Sequence, residues 1–64
     1  MTAKAYTYEE TFRSPFVKKT EREALKVLDD IRLDHPASKG WIELEGYAEK
    51  VPGGWRAVRH HAKV

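Results

Sequence analysis

Sixty-four residues allow one domain at most, near the lower limit for chains that fold without staples. The chain has no cysteine, which excludes a disulfide framework and any thiolate metal site. Twelve basic against ten acidic residues leave a net charge of +2, too mild to argue nucleic-acid binding, so the placement of charge carries more than its total.

No apolar run approaches the roughly 18 residues needed to span a bilayer. The first residues, Met1 to Tyr6, lack the apolar stretch of a signal peptide. The expectation is a cytoplasmic protein with no membrane partner.

Residues 3 to about 13 are rich in threonine and aromatics, and Tyr6, Tyr8 and Phe12 share one parity, as on the inward face of a strand. Glu10 breaks that pattern, which predicts a bulge or an early strand end beside it. Ser14-Pro15 stops the strand, since proline has no N–H to give a ladder.

Thr20-Glu21-Arg22-Glu23 has the form of a capping box and opens a helix predicted over 20–34. Ala24, Leu25, Leu28 and Ile31, with Val27 beside them, supply an apolar stripe. His35-Pro36 ends it, because the residue before proline avoids the α region. Lys18, Lys19 and Arg22 lie at the positive end of this helix and Asp29, Asp30 and Asp34 at the negative end. Each opposes the dipole by a few tenths of a kcal/mol. Charges set against their own helix suggest a role outside it. Lys18, Lys19, Arg22 and Lys26, with first-turn N–H groups, are therefore candidate anion-binding residues for phosphate or an acidic protein surface. The competing reading is an ordinary solvated helix face.

After the short connection Ala37 to Gly40, residues 41–64 alternate with period two around Pro52-Gly53-Gly54 and read as a β-hairpin. A three-residue loop sets Val51 opposite Trp55, Tyr47 opposite Arg59, Glu45 opposite His61 and Glu43 opposite Lys63. The even-numbered residues (Ile42, Leu44, Gly46, Ala48, Val58, His60, Ala62, Val64) then share an inner face, and charges are matched on the outer one. The expected fold is α+β: a single small β-α-β-β domain over 1–64, with a three-stranded antiparallel sheet and the helix packed on one face. The last strand is central; an alternative sets the first strand parallel to the second.

On the outer face of that hairpin, Trp41, Tyr47 and Trp55, with Arg59 and Val51, are candidate partner-binding residues. Trp, Tyr and Arg dominate interface hot spots, and exposed apolar patches mark association. The alternative is that the two tryptophans wrap the sheet ends and cap a small core. His60 and His61 point to opposite faces and do not chelate one metal; His60 is expected to pack inward and His61 to answer Glu45. Glu43, Glu45 and Glu49 read as cross-strand partners, Ser14 has no evident base, and Pro52-Gly53-Gly54 opens onto a strand, unlike a phosphate loop. No catalytic residue, cofactor or metal site is expected.

The preferred expectation is a non-enzymatic interaction protein that binds a macromolecular partner, most readily a protein, and inhibits or modulates it. In size and style the chain resembles accessory proteins of phages and mobile elements, including anti-CRISPR proteins and other inhibitors of host enzymes; no residue role is carried over. A small nucleic-acid-binding regulator is the alternative, with Arg56, Arg59 and Lys63 on phosphates. A third reading is a homodimer whose sheet is completed through an edge strand.

Overall fold

The computed structural model describes residues 6–64. In chain order it contains β1 (Tyr8–Arg13), α1 (Glu21–Asp34), a 3-10 turn (Ala37–Lys39), β2 (Trp41–Val51) and β3 (Gly54–Lys63). The strands form one antiparallel sheet in the order β1-β3-β2, and α1 packs against it through β3 and β2. The β-α-β-β order and the central last strand agree with the sequence reading. Its alternative, a parallel first strand, is excluded.

β1 runs without a bulge through Glu10, pairing Tyr8 with Lys63, Glu10 with His61 and Phe12 with Arg59. Glu10 therefore belongs to the inward set. It breaks the hydrophobic pattern because a buried histidine faces it. The expected strand start near residue 3 falls outside the described residues. The ladder continues one step past the strand, with Ser14 N–H donating to the Ala57 carbonyl at 2.9 Å. Pro15 then ends it, and the Ser14 hydroxyl oxygen accepts from Phe16 N–H at 3.1 Å.

Thr20 caps α1 in extended conformation, its Oγ1 accepting from Glu23 N–H at 3.2 Å. The Glu23 carboxylate accepts from the Thr20 hydroxyl at 3.2 Å, so the reciprocal half of the box uses the side chain and not the backbone. The buried stripe is Ala24, Leu28 and Ile31. Leu25, one step round the helix from Ala24, is 41 % exposed, a correction to the predicted stripe. Leu28, Ile31 and Ala57 form the core, with Phe12 and Val27 packed at its edge.

The hairpin register differs from expectation twice. Val51 pairs with Gly54, so the loop is two residues, Pro52 and Gly53, with Gly53 at φ 91°. Proline followed by a positive-φ glycine is the type II turn pattern. Gly54 belongs to the strand because the Lys18 carbonyl lies where a Cβ would stand; Lys18 and Trp55 exchange backbone hydrogen bonds of 2.7 and 2.8 Å there. Further along, a β-bulge at Glu43–Glu45 shifts the register again, leaving Glu43 opposite His61 and Trp41 opposite Lys63. α1 packs over the odd-numbered residues of β3, Ala57, Arg59 and His61. On β2 the helix-side residues are Trp41 and Glu43 on the N-terminal side of the bulge and Gly46 and Ala48 on the C-terminal side. The even-numbered core assignment is thus overturned: Val58 and Ala62 are buried, but on the face away from α1.

Candidate functional site

The four hairpin residues singled out as partner anchors do not form one surface. Arg59 is 3 % exposed and sits under the C-terminal half of α1. Its Nε lies 3.3 Å from Glu43 Oε1, and its Nη1 donates to the His35 carbonyl at 3.3 Å. Glu43 is also clasped by Arg32 of α1, which donates to its two carboxylate oxygens at 2.7 and 2.9 Å, while Arg32 reaches Asp29 at 3.0 Å. These hydrogen bonds from Arg32 hold the Glu43 carboxyl below the usual range against the opposing effect of burial, and Glu43 in turn raises the Arg32 guanidinium. A bidentate clasp of this kind anchors the helix end to β2.

Trp41 closes the same end of the core. Its ring packs edge-on against His35 at 4.7 Å and Tyr8 at 6.2 Å, and tilted on His61 at 4.6 Å. The Lys63 ammonium lies 5.5 Å from its centroid. This matches the capping alternative. Trp55, half-buried at the opposite end, has the Lys50 ammonium 5.2 Å from its ring. Tyr47 alone of the four lies on the helix-free face, opposite Val58, at 37 % exposure. The predicted outer patch is dispersed because α1 packs on the face of β3 that carries Arg59, which turns Arg59 and Trp41 inward, while the two-residue turn sets Tyr47 on the opposite face.

The two histidines exchange the expected roles. His61 is fully buried with neither ring nitrogen hydrogen-bonded; Nε2 is 3.6 Å from Glu10 Oε1, too long for a hydrogen bond. Burial lowers its pKa first, and the neighbouring His35 and Arg59 lower it further. His60 faces the other way and uses both nitrogens, at 2.7 Å from Thr11 Oγ1 and 3.0 Å from Glu9 Oε1. Among the described residues no group of three or more His, Asp or Glu side chains is placed to hold a metal ion.

Of the basic residues, Lys19, Arg22 and Lys26 are exposed, and Lys18 is half-buried in its bridge to Trp55. None of the four is in a salt bridge among the described residues. The helix start is nevertheless a poor phosphate cradle. Thr20 already occupies the Glu23 N–H, and the carboxylates of Glu21 and Glu23 stand in the first turn.

A different feature is an open apolar surface. A groove of about 370 Å³ runs between α1 and the connection from β1, walled by Phe12, Pro15, Phe16, Val27 and Ile31. Phe16 at its mouth is 63 % exposed and the adjacent Val17 48 %. The sequence carried one signal for it, an apolar pair in a connection, where polar residues are usual, set between Pro15 and Lys18-Lys19. Among the described residues no helix is long and apolar enough to cross a membrane. Comparison with protein-family models, curated proteins and solved structures finds no match to this chain.

Proposed function

We propose that this chain is a non-enzymatic interaction protein that binds another protein and inhibits or modulates it by covering part of its surface. The observation that carries this reading is the apolar groove with Phe16 held open to solvent at its mouth. A chain this short has few large apolar side chains to bury, and leaving phenylalanine and valine outside the core forgoes about 1.5–3 kcal/mol for each side chain not fully buried. A partner side chain seated in the groove recovers that free energy. Lys18, Asp30 and Asp34 also line the groove, and none is in a salt bridge among the described residues, so the groove suits a partner side chain flanked by charges of both signs. Tyr47 and Trp55 serve at most as peripheral contacts, and Trp41 and Arg59 act through the fold they hold in place.

The test compares immobilised wild type with Phe16→Asp in capture from nuclease-treated and untreated lysates. The expected outcome is a protein retained by the wild type under both conditions and lost with the variant, while the far-UV circular dichroism of the two coincides. Recovery of nucleic acid alone, abolished by nuclease, overturns the reading in favour of the nucleic-acid-binding alternative.

A further inference from the structure

Arg22, Lys26, Asp30 and Asp34 follow one another at intervals of four and form a single ridge along α1. All four are exposed, and none is in a salt bridge among the described residues. Read along the helix the ridge is plus, plus, minus, minus. Two of its three neighbouring pairs are like-charged, which disfavours the helix, and its polarity opposes the macrodipole. Charges elsewhere on α1 behave differently: Glu21 and Glu23 stand in the first turn, Arg32 stands in the last, and Asp29 is paired with Arg32. The ridge is therefore unfavourable within one molecule and lacks a partner there.

An antiparallel second copy removes both defects, because the reversed ridge reads minus, minus, plus, plus. We infer that α1 is a self-complementary docking face and that two copies associate through it, helix against antiparallel helix, about a twofold axis at the level of Leu28. With the two helix axes inclined by about 50°, so that the four-residue ridges run side by side, that axis sets Arg22 of each copy against Asp34 of the other and Lys26 against Asp30, since both pairs are centred on position 28. At about 100° per residue Leu33 lies about 40° from the centre of the ridge and within that face, whereas Leu25 stands about 120° from it and outside. Leu33 is 78 % exposed and supplies the apolar contact that surface ion pairs by themselves do not replace. Such an interface is isologous, as closed dimers require. It differs from sheet completion through an edge strand, and although Asp30 and Asp34 also line the groove, Phe16 is not part of the ridge.

The experiment is sedimentation velocity over a concentration series at about 50 mM salt, where exposed charges are least screened. The wild type is expected to be dimeric and to dissociate as salt is raised. Arg22→Glu/Lys26→Glu makes the ridge wholly acidic and Asp30→Lys/Asp34→Lys makes it wholly basic. Each alone is expected to raise the dissociation constant by at least about tenfold, and an equimolar mixture of the two is expected to restore a dimer. The acidic variant also brings the ridge into accord with the dipole at its positive end, so weakened association is not explained by lost helix; circular dichroism of each variant checks this. A wild type that stays monomeric, variants that still dimerise, or folded variants whose mixture stays monomeric would overturn the inference. Phe16→Asp is expected to leave the dimer intact, so failure here and failure of the groove proposal are told apart.

Discussion

His60 and His61 are neighbours in β3, yet they mark two different ways of burying one strand. On the helix-free side His60 is half-exposed with both nitrogens partnered, and the strand is closed over by long side chains. Val58 sits between Arg13 and Tyr47, and Ala62 between Glu9 and Ile42; both small residues are fully buried with no helix above them. Arg56 and Arg13 lie 2.6 and 3.9 Å from one oxygen of Glu49 and complete this cover. On the helix side Ala57 meets Leu28 and Ile31, whereas Arg59 and His61 are buried among charged groups and rings. Flexible charged side chains can therefore seal a central strand as fully as a helix does, because their aliphatic stems shed water while the heads stay wet. The helix side is the stricter one, since its buried polar atoms have no solvent to fall back on.

The widest separation between the two sides is expected from truncation. Leu28→Ala removes the largest fully buried aliphatic side chain beneath the helix and should cost about 3–4 kcal/mol, a large share of the total stability of so short a chain. Val58→Ala should cost about 1.5 kcal/mol, because the overlying side chains can settle into the space. Urea unfolding followed by circular dichroism measures both, and equal losses would mean that the helix-free cover is as rigid as the core.

Charge removal sharpens the contrast at smaller amplitude. Glu43→Ala leaves Arg59 buried without its carboxylate and frees Arg32, for about 2–3 kcal/mol after allowance for the partial exposure of Glu43. Glu49→Ala, between the half-exposed Arg13 and Arg56, should cost less than about 1 kcal/mol and lose even that in high salt. Thermal melts of the two variants at low and high salt decide it.

The smallest effect is a pH dependence. The groups facing His61 are Glu10 from β1, His35 after α1, Glu43 from β2 and Arg59 on its own strand. Its pKa is lower folded than unfolded, so the unfolded chain binds the proton more readily. The stability contributed by neutral His61 is complete above its unfolded value of about 6.5 and is lost as pH falls through the folded value. Glu43, also lowered, adds to the loss only in the carboxylate range. Midpoints of thermal unfolding should fall from pH 7.5 to 5, and His61→Phe should flatten that slope. At pH 7.5 the variant should lie within about 1 kcal/mol of the wild type, because it removes two unpartnered buried nitrogens. A slope unchanged by the substitution would place the titration elsewhere.

Neither candidate surface follows from the hairpin. Tyr47 is the one predicted anchor that the register leaves outward. The groove was assembled from Phe12, Phe16 and Val27, which lie in three different segments and meet only once α1 is docked. The ridge on α1, in contrast, is a local property: four charges at helical spacing share a line as soon as the helix forms. Three of them, Arg22, Asp30 and Asp34, oppose the dipole by their position in the sequence alone.

Local chemistry was sufficient for the elements themselves. Thr20 and Glu23 start the helix, His35-Pro36 stops it, Ser14-Pro15 ends β1, and alternation around Pro52 makes the hairpin; each signal acts within a few residues. Period two says that a strand has two faces, but in a central strand both become buried, so the pattern does not say which lies under the helix. Tertiary structure decided that. Lys18, pressed on Gly54, shortened the turn; the bulge at Glu43–Glu45 reversed the faces beyond it; and Arg32, reaching over from α1 to Glu43, made an inward Arg59 tolerable. Each of these is a contact between residues distant in the chain, whose free energy exists only after the segments have met.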